Sequence, residues 1–138
     1  MSAPIVLGFD GSEHARAALA KTIELATATS APVVVVFAYY ISPLGGGDVR
    51  DYKAALEKVA THETARAVAD LEEAGISATA RHVSGKPGEA IVAVATEVGA
   101  GLIVVGSPSR GPLTAAFLGS VVLDLVQRSP VPLLVVPV

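Results

Sequence analysis

The chain has 138 residues, a formal net charge of -3 at pH 7, and neither cysteine nor tryptophan. Half of it is hydrophobic (51%) and only 4% is aromatic, which excludes a disordered chain, a disulfide scaffold and cysteine-based metal sites. The ten lysines and arginines are scattered, so nucleic acid is not an expected partner. No apolar run approaches the roughly 20 residues of a membrane span and no secretory signal is visible, so we expect a single domain over residues 1–138, located in the cytoplasm and without a membrane partner.

Apolar runs alternate with helical patterns along the chain. Five runs predict strands, at residues 5–9, 33–40, 76–83, 102–105 and 133–136. Four helical patterns lie between them: one starts at Ser12, one runs over residues 48–74 before Gly75, one opens near Pro87 and ends at Gly99, and one contains Val121 and stops before Pro130.

The near-continuous apolar strands predict burial on both faces, which is typical of a parallel sheet covered by helices. We therefore expect an α/β protein, an open doubly wound sheet of five parallel strands flanked by four helices. The run at 76–83 alternates with polar residues and is predicted to be an edge strand. The glycine-rich segment 42–47 is either a plain surface connection or a flap over a site.

In such a sheet, ligands bind at the carboxyl ends of the strands. The residues expected there include Asp10-Gly11-Ser12 after the first strand and the stretch 106–112 after the fourth, followed by Gly119-Ser120 at a helix start. A Gly-Ser pair at a helix N-terminus offers N–H groups, a hydroxyl and the positive end of the helix dipole, which suits phosphate. The alternative interpretation is an ordinary loop and helix cap. The phosphate-loop, dinucleotide-binding and nucleophile-elbow motifs are absent.

The stretches 102–107, 118–121 and 130–136 resemble the universal stress protein family, and the likeness extends over the whole chain. Nucleotide-binding members carry Gly, two residues, Gly, nine residues and then Gly-Ser or Gly-Thr. Gly106 and the pair Gly119-Ser120 match this pattern with the spacing intact, whereas Ser109 replaces the second glycine. Val122 stands where the family often has Ser or Thr. The resemblance implies a fold of the adenine-nucleotide alpha-hydrolase type.

The resemblance also implies ATP or a related adenine nucleotide as ligand, with Mg²⁺ or Mn²⁺ associated, and a set of binding residues. Gly8, Phe9 and Asp10 would line the pocket near the ribose and phosphates, Ala38 would lie against the adenine, Gly106 would admit the ribose and phosphates, and Gly119, Ser120 and Val121 would bind the phosphates. Ser109 would contact phosphate through its hydroxyl if it replaces the glycine functionally. Arg110, the one arginine of this loop, is either a phosphate partner or a solvated surface residue.

Two functions stay open at this point. The first is an adenine-nucleotide-binding module for stress response or regulation, at most a slow ATPase because no water-activating base stands out beyond Asp10. The second is a dimeric interaction protein of the same family that binds no nucleotide. The last strand predicts a homodimer through the segment from Leu133 to Val138. The three histidines share no metal-ligand spacing.

Overall fold

The computed structural model describes residues 2–39, 49–108 and 118–138. The glycine-rich segment 42–47, for which the sequence left a surface connection and a flap open, lies outside these residues. The described elements, in chain order, are β1 (Ile5–Gly8), α1 (Glu13–Thr29), β2 (Val33–Tyr39), α2 (Val49–Glu73), β3 (Ala78–Ser84), α3 (Pro87–Val98), β4 (Leu102–Ser107), α4 (Ser120–Arg128) and β5 (Leu133–Pro137).

The five strands form one parallel sheet in the order β3-β2-β1-β4-β5. The chain runs outward from β1 to β2 and β3, then returns to place β4 on the other side of β1. The order therefore reverses between β1 and β4, which is the point where ligands enter such sheets. The predicted α/β class, the parallel sheet and the edge position of β3 are confirmed.

The two faces of the sheet pack against different helices. Leu7, Val35 and Val104 are fully buried in a core that they share with α1 and α2. Their neighbours in sequence point the opposite way: Val6 and Ile103 are buried against α3 and α4. This alternation explains why the central strands are apolar at nearly every position, as the sequence indicated.

The helix ends follow the predicted capping residues. The hydroxyl oxygen of Ser12 accepts a hydrogen bond from the backbone N–H of Ala15 at 3.2 Å and so caps α1. Gly99 ends α3 in the left-handed conformation, with φ of 66°. The predicted start of β3 is two residues early, because the N–H of Ile76 is still bonded back to the last turn of α2, to the carbonyl oxygen of Leu71.

Candidate functional site

A cleft of about 100 Å³ opens at the carboxyl ends of β1, β2 and β4, where the strand order reverses. Both helical layers contribute to its walls. The lining residues are Gly8, Phe9, Asp10, His14, Ala15, Val36, Ala38, Pro87, Ile91, Val105, Gly106 and Val121. Six of the ten predicted site residues are thus brought together here: Gly8, Phe9, Asp10, Ala38, Gly106 and Val121.

Most of the cleft wall is aliphatic. Val36 and Ala38 come from β2, Ile91 from α3 and Val105 from β4. These side chains present no hydrogen-bonding group, so a ligand in contact with them is held there by apolar burial and shape. The aliphatic wall suits a flat apolar ring face, with polar recognition left to backbone groups and to the polar side chains at the rim.

Asp10 combines a structural contact with an open carboxylate oxygen. Its Oδ1 accepts a hydrogen bond from the backbone N–H of Ser12 at 2.9 Å, which forms the turn into α1. Its Oδ2 lies 4.0 Å from Nε2 of His14. The side chain of Asp10 is 60% exposed. Asp10 therefore presents a carboxylate at the rim of the cleft in addition to shaping the turn.

The glycines of the cleft are explained by packing. A Cβ atom on Gly106 would overlap the backbone carbonyl of His14, so α1 can approach β4 this closely only because the residue is glycine. A Cβ atom on Gly8 would lie 2.7 Å from Cδ1 of Ile91 on α3. At Gly106 the requirement for glycine therefore comes first from the contact with the helix backbone, whereas at Gly8 the close atom is the end of the Ile91 side chain, which can move aside.

The start of α4 forms one end of the cleft. Gly119 is the N-cap, with φ of 93°, and as a glycine it contributes no side-chain cap to the helix. Ser120 follows as the first helical residue, and Val121 reaches the cleft wall. Val122 is 2% exposed and packs in the core beneath α3 and α4, so the departure from the family pattern at this position affects packing and not the cleft lining.

A second cavity, of about 330 Å³, adjoins the cleft and shares Pro87 and Val121 with it. Its other lining residues are Lys86, Gly88, Glu89, Ser120, Asp124 and Arg128. Arg128 forms ion pairs with Asp124 and Glu89, and the hydrogen bond to Asp124, followed by the charge of that carboxylate, raises the pKa of Arg128. Two cationic and two acidic side chains therefore balance one another around this cavity.

The remaining predicted residues divide into two groups. Gly119 lines neither of these two cavities, although it positions Ser120 and Val121. Ser109 and Arg110 lie outside the residues that the structure describes. Their predicted contacts with phosphate stay predictions.

The sequence interpretation omitted several wall residues. His14 is the most informative of them, because its position four residues after Asp10 at the start of a helix is a recognisable signal. Pro87 and Ile91 enter the cleft from α3, and no spacing in the sequence indicates which turn of that helix faces β1.

Residues 2–39, 49–108 and 118–138 contain no group of three or more histidine, aspartate or glutamate side chains placed to hold a metal ion. His82 is engaged with the hydroxyl of Thr64, with Nε2 and Oγ1 2.8 Å apart. Within the same residues, no helix is both long and apolar enough to span a membrane. The cytoplasmic location stays a prediction.

The sheet order and the position of the cleft place the chain among the doubly wound α/β proteins. The family model described as "Universal stress protein family" matches residues 1–137. The chain is 34% identical over 132 residues to a Thermus aquaticus protein described as "Universal stress protein in QAH/OAS sulfhydrylase 3'region", covering 96% of both chains. The chain therefore belongs to the universal stress protein family.

Two solved structures extend the comparison. A universal stress protein in complex with cAMP superimposes with a TM-score of 0.77 at 27% identity, covering 96% of this chain and 95% of that one. A universal stress protein from Archaeoglobus fulgidus in complex with dAMP gives a TM-score of 0.71 at 27% identity, covering 96% of both chains. These similarities confirm the predicted family and fold.

Proposed function

We propose that this chain binds an adenine nucleotide in the cleft between β1 and β4 and acts as a single-domain regulatory module in the stress response. The observation that carries the proposal is the cleft itself, which joins an aliphatic slot to a helix N-terminus at the reversal point of the sheet. The structural relatives in complex with cAMP and dAMP support an adenine nucleotide as the ligand class.

In this proposal the adenine lies against Ala38 and the neighbouring aliphatic wall. Ala38 is half-buried near the carboxyl end of β2, and its small side chain leaves the space above the strand open. The chain has few aromatic residues, so apolar contacts and backbone hydrogen bonds, rather than stacking, hold the base.

The phosphate end of the ligand points toward the start of α4. The N-cap of this helix is Gly119, which has no side chain that could bind the first backbone N–H groups; we propose that these groups bind the anion and that Ser120 adds a hydroxyl. Mg²⁺ or Mn²⁺ would enter with the phosphates of the nucleotide, since the described residues offer no ready cluster of metal ligands. Ser109 and Arg110 are further proposed phosphate contacts.

We propose little or no hydrolysis at this site. Asp10 is the one carboxylate among the described lining residues, and one of its oxygens is engaged in the turn before α1. Phosphoryl transfer needs positioned water and concentrated positive charge around the leaving phosphate. Lys86 and Arg128, in the adjoining cavity, are accompanied there by two acids.

The experiment that tests nucleotide binding has two parts. The purified protein is denatured and any released nucleotide is identified by mass, and nucleotide-free protein is then titrated calorimetrically with ATP, AMP and cyclic AMP, with and without Mg²⁺ or Mn²⁺. The proposal expects saturable binding of at least one of these ligands. No co-purified nucleotide and no binding heat up to millimolar concentrations would reject it.

The alternative is a dimeric interaction protein of the same family that binds no nucleotide. Its support is the departure at Ser109 from the glycine of nucleotide-binding members. Ser109→Gly distinguishes the two functions. If the chain is a nucleotide-binding module, the unmodified protein and the Ser109→Gly variant both bind nucleotide. If Ser109 has abolished the site, nucleotide binds only to the variant.

A homodimer through the segment from Leu133 to Val138 is proposed for either function. β5 is an edge of the sheet, and Leu133, Leu134, Val135 and Val136 are all only half-buried. The other edge, β3, exposes His82 and carries Arg81 in an ion pair with Glu97. Charged and polar edges discourage pairing and apolar edges favour it, so β5 is the edge suited to a second copy.

A further inference from the structure

Asp10 and His14 are the two ionisable side chains that the described part of the chain places on the cleft wall. Oδ2 of Asp10 and Nε2 of His14 lie 4.0 Å apart at the start of α1. The side chain of His14 is 28% exposed and that of Asp10 is 60% exposed. The pair therefore faces the space that a ligand would enter and is not sealed in the core.

The charge of this pair depends on one proton. With a neutral imidazole, the pair presents the single negative charge of Asp10, which opposes the entry of an anion. With a protonated imidazole, the two charges cancel and that opposition disappears. Histidine is the side-chain type whose unperturbed charge change falls between about pH 5 and 8.

Apart from Asp10, the charged side chains on the elements around His14 do not contact its imidazole directly in the described part of the chain. α1 packs against β1, β4 and β5, and those three strands carry no ionisable side chain. Glu13 precedes His14 on the helix, and Arg16 binds Glu63 of α2. The adjoining cavity contributes a balanced set, Lys86, Glu89, Asp124 and Arg128. Among the described residues, the charge that meets His14 directly is that of Asp10.

We infer that His14 is a specificity-determining residue of the cleft, taking up a proton when an anionic nucleotide binds. Affinity for the anion then rises as the pH falls, while affinity for a neutral nucleoside of the same base does not. The inference rests on the proposed nucleotide binding and adds the residue that sets its preference for charge and its response to pH.

Cyclic AMP is the suitable probe, because its phosphodiester keeps one negative charge throughout the range in which histidine titrates. Calorimetric titrations at about pH 6 and about pH 8 compare cyclic AMP with adenosine. We expect cyclic AMP to bind about tenfold more tightly at the lower pH, and adenosine to bind equally at both. Near neutrality, binding heats measured in buffers of different ionisation enthalpy report the proton taken up.

Two variants assign the effect to His14. His14→Gln retains a polar side chain that does not titrate, and it should abolish both the pH dependence and the proton uptake. His62→Gln, at an exposed position of α2, is the matched control and should retain both. If AMP binds but cyclic AMP does not, the same comparison is made with AMP. The phosphate of AMP titrates identically in measurements on the unmodified protein and on both variants, so a difference between these proteins still reports on His14.

The outcomes separate the inference from the proposed function. Absence of binding by every adenine nucleotide at both pH values overturns the proposed function and the inference with it. Binding that is independent of pH, or a pH dependence that His14→Gln retains, overturns the inference alone. A pH dependence of the same size for adenosine contradicts the charge mechanism, because adenosine carries no phosphate.

Discussion

The backbone carbonyl of His14 occupies the place that a Cβ atom of residue 106 would need, so the first turn of α1 can pack this closely on β4 only with glycine at position 106. This contact joins Gly106, which follows the apolar residues of β4, to α1, the helix that contributes His14 to the cleft wall. The motif glycine thus positions α1 whether or not a ligand is bound.

Gly106→Ala should destabilise the fold strongly, because the added methyl group meets backbone and not a movable side chain. We expect a loss of about 3 kcal/mol in the free energy of unfolding, measured by urea denaturation. Gly101→Ala is the matched control: its Cβ would lie 3.1 Å from that of Ala3, and it should cost less than about 1 kcal/mol. Equal stability of the two variants would contradict this account of Gly106.

Ala38→Phe should fill the slot proposed for the adenine. A clash or rearrangement worth about 3 kcal/mol corresponds to about a hundredfold weaker binding of AMP or cyclic AMP, measured by calorimetry. Ala54→Phe, on the exposed side of α2, is the control and should bind as the unmodified protein does. If Ala38→Phe binds with unchanged affinity, the base does not lie against this residue.

Val135→Lys should weaken the proposed dimer. In a two-fold arrangement of β5 edges, each copy brings the new charge close to the same strand of the other, and both charges lose water. We expect the dissociation constant to rise at least about tenfold in sedimentation or light-scattering measurements. Val59→Lys, at an exposed position of α2, should leave the dimer intact. A monomeric unmodified protein at micromolar concentration would refute the dimer itself.

Ser12→Ala should remove the cap of α1, since the hydroxyl of Ser12 accepts the N–H of Ala15. The expected loss is about 1 kcal/mol of unfolding free energy, seen as a lower thermal midpoint. Ser84→Ala, at the exposed end of β3, is the comparison and should change stability by less than about 0.5 kcal/mol. A cost no larger than that of Ser84→Ala would show that Ser12 contributes little to the helix.

The fold followed from local patterns in the sequence. Apolar β-branched runs, the cap at Ser12 and the helix-ending Gly99 are short-range signals, and each is confirmed. The parallel direction of the strands followed from burial on both faces, which the continuous runs already indicated.

The site was only partly predictable, because its remaining features depend on which distant surfaces meet. The sequence assigned Gly106 to ligand approach, whereas its immediate neighbour is the α1 backbone. Ile91 enters the cleft from α3, which begins 79 residues after the end of β1 (Gly8 to Pro87), and Val122 turns into the core. His14 could have been found from its spacing, four residues after Asp10. Considering the histidines only as metal ligands misses this signal.

The cleft wall is assembled from both sides of the sheet, with Asp10 and His14 at α1 and Pro87, Ile91 and Val121 from α3 and α4. An occupant of the cleft would therefore bridge two helical layers whose cores are otherwise separated by the strands. Its binding energy would be lost when either layer detaches, so ligand would raise the resistance of both layers to unfolding together. Hydrogen exchange in α1 and α3 should then slow in parallel on ligand addition, as if the two cores had become one cooperative unit.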